Sequence, residues 1–434
     1  MVKRDKIELC LKDSQYVKKQ LLRWGQQFNS FVLLDSSMYT EKYSNFDFVC
    51  ATMPISEIKL ESDRGAFEEL EQFRVNTNDW IFGYLTYDLK NDVEKLTSSN
   101  FDGVKFPSLH FFQPEVIFFL RGNKLEVSYV STTDSTKIDE ILEEVLNTEI
   151  DAIVEETRLH IQNRVPKDSY INNVNNLKNH IRRGDIYEAN FCQEFYSENA
   201  VIDPVNKYFM LNEISTPPFA SFYKLDNHYL ISASPERFIQ KTGDKVISQP
   251  IKGTAKRGKS AKEDNEIISA LEVDVKERAE NVMIVDLVRN DLSKTAVEGS
   301  VKVEELCKVY SFQQVHQMIS TISSKVEKDL SPVEIIRNAF PMGSMTGAPK
   351  IRAMQLIDIY ESTKRGLYSG SVGYFSPEGD FDFNVIIRSI LYNADKHYLS
   401  FTVGGAITSK SDPEKEFDET LLKADAMFRI LKHD

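Results

Sequence analysis

Short runs of aromatic and β-branched residues, bounded by polar clusters, share this chain with longer stretches of helical spacing. Phe31 to Leu34, Phe46 to Cys50 and Trp80 to Tyr87 predict strands. Val116 to Leu120 and Leu125 to Val130 flank Arg121-Gly122-Asn123-Lys124, a hairpin signal. Lys137 to Leu146 places Ile138, Ile141, Leu142 and Val145 at helical intervals. Tyr170 to Asn190 predicts one long helix with a break near Gly184. Strands follow at Ala220 to Leu225, His228 to Ala233 and Arg237 to Lys241, with turns at Asp226-Asn227 and Gly243-Asp244. Lys262 to Lys294 is helical through most of its length. Ser331, Pro332 and Glu334 form a capping-box start. Leu367 to Thr408 is strand-rich, and a last helix spans about Glu414 to Leu431. Strands gather as hairpins and meanders, which predicts an α+β fold with large antiparallel sheets.

The chain has 434 residues, 41% of them hydrophobic, enough for a large core. No Pro/Gly/Ser-rich linker or repeat interrupts it, so residues 1–155 and 156–434 are expected to pack as one unit. The formal net charge of −13 speaks against nucleic-acid binding, which relies on excess Lys and Arg. No apolar stretch approaches a membrane span, and the first residues lack an apolar signal core. Cys10, Cys50, Cys192 and Cys307 lie far apart, as reduced thiols of a cytoplasmic protein would.

Candidate chemistry concentrates downstream. Lys252, in Pro250-Ile251-Lys252-Gly253-Thr254, is a candidate covalent nucleophile if burial or a neighbouring cation depresses its pKa. A surface hairpin lysine has the same signature. Glu236, in Ser234-Pro235-Glu236-Arg237, is a candidate general acid, or a strand-end partner of Arg237. Glu277 and Glu280 share one helix face, as do Glu416 and Glu419. Convergence of the two pairs would demand a cation, and Mg²⁺ suits hard oxygen ligands; solvated helix faces are the alternative. Ser344 to Lys350 precedes a helix whose N-terminus favours carboxylate. Arg388 suits a bidentate carboxylate contact or a strand-face ion pair. Gly404 and Gly405 admit close backbone approach or mark a bulge. His316, among apolar residues, reads as a core histidine.

The order of these motifs resembles the chorismate-utilising enzymes. Ser234 to Phe238, Pro250 to Gly258 and Lys276 to Asp291 carry the likeness. Thr346 to Lys350, Arg365 to Tyr374, Gly404-Gly405 and Glu416 to Thr420 extend it. It is dense from about Asp168 onward. Before that, Phe31 to Ser36 resembles an N-terminal motif of the amino-transferring members. The family fold is one α+β unit, two antiparallel sheets face to face with helices outside.

Within this resemblance, lysine at position 252 implies the branch that forms 4-amino-4-deoxychorismate, toward 4-aminobenzoate and folate. The anthranilate-forming branch typically has alanine there. Glu188 matches neither the lysine base of the isochorismate-forming members nor the glutamine usual in amino-transferring ones. It leaves open a part in guiding ammonia or ammonium. The likeness implies Mg²⁺ on Glu280 and Glu419, with Glu277 and Glu416 ligating it or orienting its waters. The metal would bind the ring carboxylate of chorismate. Tyr368, Arg388, Gly404 and Gly405 would take the pyruvyl carboxylate, with Lys423 near the metal. Gly253, Thr254, Ser344 and His316 complete the residues expected to line the substrate. Lys252 would attack ring C2 while Glu236 protonates the departing hydroxyl. No cysteine sits in a Gly-rich nucleophile elbow, so ammonia is expected from a glutamine amidotransferase partner, and the 4-aminobenzoate step from a separate lyase. Anthranilate formation and a non-catalytic binding subunit are the alternatives.

Overall fold

The computed structural model describes residues 2–37, 39, 42–44, 46–150, 156–312 and 315–431. The expected boundary at residue 155 lies outside the described residues. Among those described, 20 strands form one open hydrogen-bonded network folded into two layers. The first layer runs in space through β1 (Arg4–Cys10), β6 (Lys124–Val130), β5 (Leu109–Arg121), β3 (Phe48–Leu60), β2 (Ser30–Asp35), β9 (Phe219–Leu225), β10 (His228–Ser234), β19 (Ser389–Asn393), β20 (Tyr398–Ile407) and β8 (Glu188–Ser197). The two-residue strands β7 (Gln162–Asn163) and β16 (Gly347–Ala348) pair with β8. The second layer branches from the first half of β5 through β4 (Ile81–Leu85), β17 (Ser371–Phe375), β18 (Phe381–Asn384), β11 (Arg237–Thr242), β12 (Lys245–Gln249) and β15 (Val315–Lys325). β15 also carries β13 (Ile251–Lys256) and β14 (Lys302–Ser311). Every named pairing is antiparallel.

The apolar runs are explained by burial on both faces. Along β2 and β3, Val32, Val49 and Ala51 enter the core shared with the second layer. Their neighbours Phe31, Leu33, Phe48 and Cys50 enter a separate outer core. Side chains alternate across a strand, so one continuous hydrophobic run feeds both. Helices α1 (Ser14–Trp24), α4 (Ser135–Asn147), α6 (Pro204–Ser215) and α11 (Pro413–Leu431) cover the outer core. Helices α2 (Ala66–Thr77), α8 (Val275–Ser293) and α9 (Pro332–Ala339) join the first core. Helices α5 (Lys167–Arg183) and α10 (Lys350–Tyr360) pack beside β8; α7 (Ala261–Val273) flanks β14, and α3 (Lys90–Val93) is a single turn.

Three predicted boundaries move. The expected helix over Tyr170 to Asn190 stops at Arg183, where Gly184 takes a left-handed φ of 83° that side chains disfavour. Glu188 and Asn190 therefore belong to strand β8. The helical run from Lys262 divides at Asp274, whose side chain accepts the Glu277 amide at 2.9 Å and caps α8. The strand expected to reach Tyr87 ends at Leu85, and Tyr87 opens a 3₁₀ turn.

Candidate active site

Pro250 has no N–H to donate, and it ends β12. Beyond it β13 resumes on the same edge of β15. Two residues, Lys252 and Gly253, oppose one on β15 there, because the register slips between Ile251 and Thr254. This is a β-bulge, and Gly253 supports it with a φ of 89°. The bulge directs Lys252 inward. Its amine donates to Glu188 Oε1 at 3.1 Å, with 12% of the lysine side chain and 1% of the glutamate exposed. Burial alone would lower the lysine's pKa, as the sequence suggested. The carboxylates of Glu188, Glu280 and Glu236 outweigh it, and the amine sits above its ordinary range. The expected depression is therefore corrected: acids, not cations, surround the amine.

Glu236 lies between β10 and β11, buried. Its backbone oxygen accepts the Val385 amide at 3.0 Å, and Ser344 Oγ donates to its Oε1 at 2.6 Å. Burial pushes its carboxyl up to about 7, against the opposing pull of Ser344 and Lys252. A carboxyl so placed is divided between its protonated and ionised forms near neutrality. The Arg237 guanidinium instead bonds Asp382 at 3.0 Å and Gln249 at 2.6 Å.

The four helix glutamates face one another across the site. Glu280 is buried, and its Oε1 makes no hydrogen bond among the described residues; the Lys276 amine stands 3.8 Å away. Burial raises the Glu280 carboxyl to about 7 and raises those of Glu277 and Glu416. Burial also acts upward on Glu419, but the Lys423 amine at 2.8 Å leaves it lowered. Lys276 is pulled down by burial and held up more strongly by all four glutamates. Among the described residues, no three acidic, histidine or cysteine side chains close on one point as a finished metal cage. The donor set still fits a hard divalent cation: carboxylate oxygens, one orphaned, in mutual repulsion. The glycines keep this space open. A Cβ on Gly405 would stand 3.2 Å from Glu416 Oε2, and one on Gly253 would stand 3.2 Å from Glu277 Oε2.

At the other end, Arg388 is half-buried, and its side chain makes no hydrogen bond or ion pair among the described residues. Burial lowers its pKa while the nearby Tyr368 phenol opposes this. Its backbone is left-handed, with φ 52°, a conformation stored more often at functional positions. Tyr368 Oη lies 3.7 Å from Cys192 Sγ. An unpaired guanidinium beside a phenol is a ready carboxylate site.

Two expected substrate contacts, His316 and Thr254, stand apart, while Gly404 stays at the cluster with its carbonyl accepting from Lys423 Nζ at 2.9 Å. Both ring nitrogens of His316 are taken, by Ser311 Oγ at 2.9 Å and Asp264 Oδ1 at 3.0 Å, so neither is free for a ligand. A Cβ on Gly404 would meet Cys192 Sγ at 2.4 Å, so this glycine serves the approach of β8 to β20. Thr254 is exposed. Sequence reasoning gave Glu188 only an open part in guiding ammonia or ammonium and passed over Lys276. The stop at Gly184 was the available signal that Glu188 begins a strand. Away from this cluster, Asp35 and Ser36 line a separate cavity of about 70 Å³ with Phe46, Pro218 and Tyr374. Among the described residues no helix is long and apolar enough to cross a membrane.

Residues 29–429 match the family of chorismate binding enzymes. The chloroplastic aminodeoxychorismate synthase of Arabidopsis thaliana is 43% identical over 263 residues, 60% of this chain and 28% of that protein. Aminodeoxychorismate synthase component 1 of Bacillus subtilis is 31% identical over 361 residues, 81% of this chain and 76% of that protein. The chain thus spans well under a third of the plant relative and most of the bacterial one. Among solved structures, anthranilate synthase component I from Streptococcus pneumoniae superposes with a TM-score of 0.78 at 25% identity, covering 90% of this chain and 93% of that one. The chain belongs to the chorismate-binding enzyme family.

Proposed function

We propose that this chain converts chorismate and ammonia to 4-amino-4-deoxychorismate through a covalent adduct on Lys252. The observation that carries the reading is the buried Lys252 amine, 3.1 Å from Glu188 and within electrostatic reach of Glu236 and Glu280. Arg388 and Tyr368 would bind the pyruvyl carboxylate. A divalent cation such as Mg²⁺, held by Glu280 and Glu419 with Glu277 and Glu416, would neutralise and polarise the ring carboxylate. Lys252, unprotonated at that moment, forms a bond to C2 while the C4–oxygen bond breaks and the ring double bonds shift. Glu236 gives the departing hydroxide its proton, and water leaves. Ammonia then bonds to C4 as the lysine–C2 bond breaks, its electron pair returning to the lysine nitrogen. Two easier substitutions replace one that would expel hydroxide directly.

The runner-up, anthranilate formation, needs nitrogen at C2. A lysine attached there blocks that carbon and leaves C4 for ammonia, which favours the first reading. The ammonia would come from a glutamine amidotransferase partner. Cys50, Cys192 and Cys307 are buried, and burial raises each thiol, Cys192 to about 12, so these three do not suit a glutaminase nucleophile; Cys10 is exposed on the outer strand β1. The test is product identification with purified protein, chorismate, Mg²⁺ and ammonium chloride. A 4-aminobenzoate signal is expected only after a lyase is added. Fluorescent anthranilate formed without it would overturn the reading.

A further inference from the structure

A cleft of about 740 Å³ lies between the end of β3, the 3₁₀ turn after β4 and the loop through residues 96–106, with Lys364 and Gly366 on its far wall. It shares no residue with the Lys252 cluster or with the cavity at Asp35. Its size is that of an ordinary small-molecule site. Several polar groups around it are already satisfied. Asp63 accepts Ser108 Oγ at 2.6 Å and Asn91 Nδ2 at 3.0 Å. Lys90 donates to Asn91 at 3.0 Å and to Asp358 at 2.9 Å. Asp88 is the exception. It lines the cleft with only 5% of its surface exposed. Its Oδ2 accepts the Gly366 amide at 3.0 Å, and its Oδ1 makes no hydrogen bond among the described residues. Burial pushes its carboxyl up to about 6 against the pull of Lys90 and Lys364, so it is ionised just above neutrality. Lys364 is the matching cation: it acts on Asp88 through space, and its amine makes no hydrogen bond or ion pair among the described residues. Ser98 Oγ is buried beside the same cleft, also without a partner.

We propose that this cleft binds a small zwitterion of the α-amino acid type, its ammonium on Asp88 Oδ1 and its carboxylate on Lys364. A buried carboxylate oxygen left without a donor is costly, and a ligand N–H would remove that cost. A simple cation would enter the field of the Lys364 and Lys90 ammonium groups. A simple anion would meet Asp88, Asp63 and Asp102. A molecule with both charges close together satisfies each side and adds no net charge to a partly desolvated site. Leu96, Phe101 and Phe106 offer its side chain apolar surface, and Ser98 offers a polar contact. The site stands apart from the reaction proposed above, and it can be tested without turnover.

The test is thermal unfolding of the whole chain, without chorismate, in each common L-amino acid in turn at about 10 mM. At least one is expected to raise Tm by about 2 °C, and calorimetry then gives its Kd. Asp88→Asn, which retains an oxygen for the Gly366 amide, should weaken that binding about 10- to 100-fold, the effect of a lost charge-assisted contact. Lys364→Ala, at a half-buried side chain, should weaken it about 3- to 10-fold. This second variant reads the site even where Asp88→Asn does not fold. The N-acetyl derivative of the same amino acid lacks the ammonium and should not bind. If no amino acid raises Tm, the proposal is overturned. It is overturned equally if every amino acid that binds does so unchanged in both variants, since the ligand would then sit elsewhere, as in the cavity at Asp35. Equal binding of the N-acetyl derivative would also remove it.

Discussion

Two buried ion pairs meet the strand β8, and they are built in opposite ways. Arg365 spends all five of its N–H groups: two on Glu361, the rest on Asn190 O, Met345 O and Ser369 Oγ. Glu361 also accepts the Cys192 amide at 2.9 Å. Lys252 and Glu188, two positions along β8 from Asn190, share a single hydrogen bond, and one carboxylate oxygen has none. Both pairs lie in low dielectric, where unmet polar groups are costly. The saturated pair fastens β8 to the segment carrying Ser344 and Tyr368. The unsaturated pair leaves a carboxylate oxygen without a donor among the described residues, as the proposed substrate site would require. Satisfaction, rather than burial or charge, separates scaffold from site.

Substitutions at the two lysine and arginine positions should therefore fail differently. Lys252→Ala is expected to lower kcat by about 10⁴-fold or more, as loss of a covalent nucleophile does. Its stability should fall by less than that of Arg365→Ala, since one hydrogen bond is lost rather than five. Wild-type turnover in this variant removes the nucleophile. Arg365→Ala should instead cost about 3–5 kcal/mol of stability, because Glu361 is left buried and unpaired. Urea unfolding measures it. A loss below about 1 kcal/mol would mean that the saturated network is not a fastening.

The same contrast explains what could be read from the chain. Strands buried on both faces were legible because Phe31 to Leu34 and Val116 to Leu120 are apolar throughout. β15 was not, since Ser320, Thr321, Ser323 and Ser324 are all buried there and interrupt the hydrophobic pattern. The bulge at Lys252 had local causes in Pro250 and Gly253. The lysine's charge state had none: Glu188 and Glu280 lie 64 and 28 residues away in sequence, and only the fold assembles them. Likewise His316 carried the same letter whether free or paired. Asp264 and Ser311 decided its role.

Arg388 sharpens the comparison from the other side. It is a cation with no partner to lose, so Arg388→Met should leave the melting temperature unchanged or raise it. The chorismate KM should rise about 10- to 100-fold, the effect of a lost charge-assisted contact, with a smaller change in kcat. A variant that unfolds while binding chorismate normally would reassign Arg388 to the scaffold.

The smallest effect is also the most specific to the unsaturated cluster. Its productive form holds a proton on Glu236 and none on Lys252, yet burial sets Glu236 at about 7 and the surrounding acids keep the lysine above its ordinary range. The productive form is thus the minor tautomer of a singly protonated pair. Below about 7 Glu236 takes up a proton while the lysine already holds one, and kcat/KM should fall by up to tenfold per pH unit. Between 7 and the lysine's own value the proton count is constant, and the profile should be level. Above that value the acid and the base are both stripped, and the rate falls again. In Glu236→Gln the residual rate should climb without a shoulder near 7, tracking lysine deprotonation alone. A wild-type profile flat from pH 5.5 to 7.5, or a variant that keeps the shoulder, would break the pairing of these two groups.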